Sequence, residues 1–270
     1  MSKIPKPILD IIKEVGKAAA LIVAKEVGPF IKKFSKNVLE WWNGRKIAVI
    51  GPTGAGKNSL YNRLSGKPIP KEHVETKGIN KVENFTYKLH MPDGKEFRLR
   101  CKRALNVGGD IVARERAWLE ACKGADVIFY IVSVTNLKKS ALSPNTRIYK
   151  DMVWIAKNLS SLGENTLVHI LVNKIDVLKQ KRGGGVEELG KQYEKLEKIA
   201  RHCFGSHAER FTGITPTSMK DDHIFAISFS ICASTYSTIY RLSHFPSNNR
   251  RIQSDWIWQV SRIFLMPRLE

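Results

Sequence analysis

At 270 residues with 43% hydrophobic side chains, the chain holds enough apolar material for one substantial domain with extensions, which excludes global disorder. A formal net charge of +20 favours anionic partners such as a membrane surface, RNA or nucleotide phosphates. Four cysteines (Cys101, Cys122, Cys203, Cys232) form no Cys-x-x-Cys pair, which argues against a zinc ribbon or a disulfide framework and suits a reducing compartment. No run of about 18 uncharged apolar residues occurs, so no transmembrane helix is expected. Asp10 and Glu14 are unlike a secretory signal, and Ser2 stands where a myristoylation signal needs Gly. The expectation is a cytoplasmic protein, with peripheral membrane contact as a further reading.

Residues 8–42 read as helix, with Ile8, Ile11, Ile12, Val15, Ala19 and Ile22, then Val27, Phe30, Phe34 and Val38, recurring at three- and four-residue intervals. Lysines fill much of the remainder. Gly28-Pro29 divides the segment into two helices, because Pro inside a helix costs about 3 kcal/mol. Trp41-Trp42 closes it. The run 46–50 then predicts a short strand, a Gly-rich turn and a helix over 56–64. Residues 82–90 and 96–106 predict two antiparallel strands joined at Pro92-Asp93-Gly94, with Phe97, Leu99, Cys101, Arg103 and Leu105 on one face of the second. Helices are expected at 111–123 and 145–162, and strands at 126–133 and 167–172. After Gly183-Gly184-Gly185 a charged helix runs to about 204. A strand at 214–217 and a last helix near 222–242 follow. Strands alternating with helices imply an α/β fold of three layers, a mostly parallel sheet covered on both faces. The domain is expected over 43–242, with a basic amphipathic helical extension at 1–42 and a basic aromatic tail at 243–270 that carries Trp256 and Trp258.

The strongest motif follows the first strand: Gly51, Pro52, Thr53, Gly54, Ala55, Gly56 and Lys57, directly before a helix that opens with Asn58 and Ser59. Strand, Gly-rich loop and helix in that order make a phosphate cradle, with backbone N–H groups facing the phosphates and Lys57 reaching the β and γ oxygens. The second is Asn173-Lys174-Ile175-Asp176 at the end of a strand. A carboxylate there can accept hydrogen bonds from N1 and the exocyclic amino group of guanine, a pattern adenine does not offer. His202, Cys203 and His207 lack a second ligand pair and read as ordinary helix-end residues.

Over residues 45–242 the chain resembles the P-loop small GTPases of the Ras/Arf-like kind. Asn106-Val107-Gly108-Gly109 stands where that family has Asp-x-x-Gly and is close to the Asp-Val-Gly-Gly of Arf-like members. Thr76 looks like the first-switch threonine that closes over magnesium and the γ-phosphate. Thr217-Ser218-Met219-Lys220 looks like the fifth motif, whose backbone supports the guanine, with some similarity to Rag-type GTPases from Thr217 to Ser228. Ser228, expected on a later strand, is the alternative for that motif. The resemblance implies a guanine-nucleotide switch that hydrolyses GTP to GDP with Mg2+. In it Lys57 binds phosphate, Thr76 and Gly109 sense the γ-phosphate, and Asn173, Lys174 and Asp176 hold the base with Ser218, Met219 and Lys220.

Two departures fall on the metal, whose family-derived positions are Asn58, Thr76 and Asn106. Asn58 replaces the hydroxyl that ligates magnesium, and Ser59 is no substitute, since one helical residue turns its side chain by about 100°. Asn106 replaces a carboxylate and loses its charge. Both changes should weaken GTP binding more than GDP binding. Asn58 has three readings: an engineered substitution of the dominant-negative kind, a natural pseudo-GTPase, or a modified metal site compensated by Asn106. Asp110 takes the place of a water-positioning Gln, so hydrolysis is expected to be slow and to need an effector or self-association. Arg114 and Arg116 read as solvated helix arginines, with charge stabilisation as the alternative. Two rival functions stand beside the switch. One is a non-catalytic module acting through its helices at a membrane or partner protein, with residues 1–42 on an anionic surface. The other is an RNA- or ribosome-associated GTPase.

Overall fold

The computed structural model describes residues 45–69, 79–82, 85–90, 96–107, 114, 117–139, 143–179 and 185–221, together with 224, 225, 228, 229 and 232. The helical extension expected at 1–42 and the tail at 243–270 lie outside the described residues.

A single sheet runs in the order β2-β4-β1-β5-β6-β7, with β3 also paired to β4. Its strands are β1 (Arg45–Ile50), β2 (Ile79–Val82), β3 (Phe85–His90), β4 (Glu96–Val107), β5 (Val127–Ser133), β6 (Leu167–Asn173) and β7 (Phe211–Pro216). From β4 through β1, β5 and β6 to β7 every pairing is parallel, whereas β2 and β3 lie antiparallel on β4. The strand expected over 82–90 is therefore two pieces beginning at Ile79. The partner strand β4 has 12 residues, long enough to pair with both along its length. His90 pairs with Glu96 at the end of the β3–β4 ladder, and the turn expected at Pro92-Asp93-Gly94 lies outside the described residues.

The helices are α1 (Lys57–Leu64), α2 (Trp118–Cys122), α3 (Val134–Lys139), α4 (Arg147–Leu162), α5 (Asp176–Lys179) and α6 (Gly185–Phe204), followed by a 3-10 helix at Gly205–Arg210. The short α3 and α5 were not expected, because four to six residues carry too little periodicity to be read. Thr146 caps α4, its hydroxyl accepting from the Tyr149 N–H at 3.4 Å. Buried Arg210 closes the far end of α4 by donating to the carbonyls of Leu159, Gly163 and Thr166.

Period-two alternation sorts the strands into two cores. Ala48, Ile50, Ile128, Tyr130, Val132 and Ile170 face α2, α4 and α6. Ile47, Val49, Phe129, Ile131 and Leu171 face α1 together with Met219, Phe225, Phe229 and Cys232. Full burial of each such side chain contributes about 1.5–3 kcal/mol, which is why apolar runs like that of β5, buried at all seven positions, become central strands. Among the described residues no helix is long and apolar enough to cross a membrane.

Because β4 and β5 flank β1 on opposite sides, the chain reverses direction across the sheet at β1. In open α/β sheets the crevice beyond the carboxyl end of such a strand is where ligands bind. The loop 51–56 leaves β1 at that end.

Candidate functional site

The loop is shaped by glycine. Gly51 has φ +142°, and a Cβ there would collide with the carbonyl oxygen of Ile131 on β5, so the backbone turns out of the sheet pressed against its neighbour. Gly56, at φ +106°, is the left-handed N-cap of α1, and a Cβ there would collide with the Asn173 amide. No side chain caps this helix and no acidic residue sits in its first turn, so its N-terminal amides present positive potential to the loop. Lys57 is buried, and its Nζ donates to the carbonyls of Gly51 at 2.9 Å and Pro52 at 3.0 Å. The ammonium thus spans the loop from inside. Thr53 is exposed, while Asn58 and Ser59 are half-buried at the start of α1.

The second motif meets this loop through Asn173, the last residue of β6. Its Nδ2 donates to the Ala55 carbonyl at 2.9 Å, and its Oδ1 accepts from the Met219 N–H at 3.2 Å. Lys174 adopts a left-handed φ of 67°, which turns the chain off the strand and lets Asp176 open α5. Ser218 then donates to Asp176 Oδ1 at 2.7 Å. Two backbone bonds, Ile175 N to Thr217 O at 3.3 Å and Thr217 N to Val172 O at 2.8 Å, hold the two segments side by side. Lys174 and Asp176 are half-buried, Met219 is buried and Lys220 exposed. Three stretches far apart in sequence, 51–58, 173–176 and 217–220, therefore converge at one end of the sheet.

Other sequence-derived positions are placed differently. Thr76 and Gly109 lie outside the described residues. Asn106 is seen through its backbone, paired with Val49 on β1 beside the start of the loop. Ser228 is a correction: it has helical rather than strand geometry, because the apolar Phe225, Phe229 and Cys232 repeat at helical spacing, and its hydroxyl donates to the Pro216 carbonyl at 2.6 Å. His207 Nε2 lies 3.3 Å from Ser160 Oγ, and among the described residues no His/Cys/Asp/Glu group could hold a metal ion. Arg114 is not a solvated helix arginine. It pairs with fully buried Asp151 at 3.1 Å, where a second guanidinium, Arg147, sits at 2.7 Å and Tyr130 donates at 2.9 Å. Burial raises the Asp151 carboxyl above its ordinary value against the pull of Arg147, and burial beside Asp151 holds the Tyr130 phenol well above its own.

Two buried polar nodes escaped the sequence reading. Asp151 occupies a core position of α4 among Ile148, Met152 and Ile155, and its i,i+4 spacing from Arg147 is the signal that could have found it. His169 stands inside the apolar run of β6. Thr212 Oγ1 donates to the Val168 carbonyl at 3.1 Å, so it accepts from His169 Nδ1–H at 2.7 Å. Nε2 is then the acceptor, facing Thr215 Oγ1 at 2.8 Å and Cys232 Sγ at 3.2 Å. Burial pushes the imidazole down to about 3 and the Cys232 thiol up to about 12, so both are neutral. No protein-family model and no curated protein matches this sequence.

Proposed function

We propose that this chain is a guanine-nucleotide-binding switch whose chemistry is hydrolysis of GTP to GDP, built on a P-loop G domain. The observation that carries the reading is the joining of the glycine loop to the 217–220 segment through one side chain, Asn173, with the Asp176 carboxylate held by Ser218 of that segment, at the crevice where the sheet changes direction. The cradle fits a phosphate chain. A Cβ at Gly51 would collide with the Ile131 carbonyl and one at Gly56 with the Asn173 amide, so glycine keeps the loop on its path, and the N-terminal amides of α1 and the Lys57 ammonium supply donors and charge. In this reading Lys57 exchanges its loop carbonyls for phosphate oxygens. Asp176, oriented by Ser218, accepts from the guanine N1–H and amino group, and Lys174 covers the base. Thr76 and Gly109 remain the proposed γ-phosphate sensors.

The metal fits less well. Magnesium prefers charged oxygen ligands and hydroxyls at short distance, and positions 58 and 106 both carry amides. No step is therefore assigned to it. The same two residues favour a second reading, a pseudo-GTPase that holds GDP for shape while residues 1–42 engage an anionic membrane or a partner protein.

Titration calorimetry with GDP and GTP, with and without magnesium, on this chain and on Asn58→Thr separates the two. A switch binds GDP, binds GTP weakly, and gains GTP affinity and turnover on Asn58→Thr. GDP binding with no turnover in either form supports the module. Absence of guanine-nucleotide binding in both forms rejects the G-domain reading. Flotation with anionic liposomes, with and without residues 1–42, tests the membrane contact.

A further inference from the structure

Lys57 and Arg63 lie on the same eight-residue helix, one at each end, and α1 is therefore a rod between two parts of the crevice. At its C-terminal end Arg63 Nε donates to the Met219 carbonyl at 2.8 Å. The same guanidinium lies over the Phe225 ring, 5.9 Å from its centroid, and Phe225 stacks on Phe229 at 5.6 Å. Met219 is thus held at both ends of its backbone: its N–H by Asn173 and its carbonyl by Arg63. Asn173 is itself bonded to the phosphate-side loop at Ala55. Both anchors refer the 217–220 segment to the loop–helix unit that begins with Gly51.

We propose that Arg63 is a positioning residue for base recognition: it fixes the height of the Thr217–Lys220 segment over the crevice and so sets how tightly the base is held, without touching the ligand. The inference rests on the guanine-nucleotide reading above. The bond to Met219 has an ionised donor, which makes it stronger than a neutral one, and the Phe225 ring lies within cation–π distance of the guanidinium and helps to hold it there. A planar fork over a ring is a geometry that lysine reproduces only in part.

The test compares the full chain with Arg63→Met, Arg63→Lys and Phe225→Leu. GDP and inorganic pyrophosphate are titrated in parallel, and the GDP dissociation rate is measured. Pyrophosphate probes the phosphate half alone, so it separates loss of base positioning from general loosening. Arg63→Met is expected to weaken GDP about tenfold, mainly through faster dissociation, and to leave pyrophosphate within about twofold. Arg63→Lys should recover part of the loss. Phe225→Leu keeps the Met219 bond and removes the ring, and it is expected to weaken GDP about threefold. It carries the test if Arg63→Met does not fold. Unchanged GDP affinity in these variants overturns the assignment while leaving the nucleotide reading intact, and so does an equal loss of GDP and pyrophosphate. If the unsubstituted chain binds pyrophosphate but not GDP, or neither, the nucleotide reading itself fails and the assignment falls with it.

Discussion

On the proposed reading the crevice has a phosphate half, residues 51–58, and a base half, residues 173–176 with 217–220, and the two are built by opposite means. In the phosphate half the key contacts are local: Lys57 reaches carbonyls five and six residues back, and the path of the loop is set by glycines with positive φ. In the base half the contacts span 42 residues (Ser218 to Asp176), 46 (Met219 to Asn173), 118 (Asn173 to Ala55) and 156 (Arg63 to Met219). A local loop can take shape from its own residues. The base half exists only when β6 and β7 are in register, Val172 against Pro216, because that pairing brings Asp176 and Ser218 together. Beneath it lies His169 with Thr212 and Thr215, fastening the same two strands. Local chemistry thus makes one half sturdy, and the sheet makes the other conditional.

The comparison breaks most visibly at the residue where the halves touch. Gly56→Val adds a side chain to a left-handed N-cap and drives it into the Asn173 amide. GDP affinity is expected to fall at least about a hundredfold, read by calorimetry. Asn173→Ala removes both bridging bonds and leaves the buried Ala55 carbonyl and Met219 N–H without that partner. A loss of about 3 kcal/mol in unfolding free energy is expected by urea denaturation.

Acid acts on the base half through His169. The folded protein holds its imidazole neutral down to about pH 3, whereas the unfolded chain takes up the proton near the ordinary value of 6.5. The stability this group confers is present above about pH 6.5 and is lost progressively as pH falls towards 3. Between about pH 7 and pH 5 roughly 2 kcal/mol should disappear, and His169→Asn should flatten that slope in urea melts. Asp151 works in the opposite sense, since its raised pKa makes the folded form the better proton acceptor and acidification adds stability there. The smallest effect is expected from Ser218→Ala. One half-buried hydrogen bond to Asp176 is lost, worth about 1 kcal/mol, and GDP binding should weaken about fivefold.

The elements and motifs were legible in proportion to how local they are. The seven-residue apolar run of β5 and the loop from Gly51 to Lys57 each follow from a few neighbouring residues. The break between β2 and β3 did not follow, since it depends on what the segment packs against, whereas the helix expected near 222–242 already covered Ser228 and told against placing it on a strand. Arg114 was misread because its partner Asp151 is 37 residues away, and no spacing rule links a residue before α2 with the inner face of α4.

By itself the sequence determined the alternating α/β class, the glycine loop with its lysine, the Asn-Lys-Ile-Asp proposed to select the base, and the amides at 58 and 106 that set this chain apart from the family it resembles. These are matters of residue type and short-range geometry, fixed by φ, ψ and side-chain chemistry before any fold exists. The tertiary structure decided that Asn173 joins loop to base segment, that Arg63 holds the other end of Met219, and that Asp151 and His169 are sealed in opposite faces of the sheet. Such contacts come from strand order and register, which the burial of two apolar faces selects over the whole chain at once.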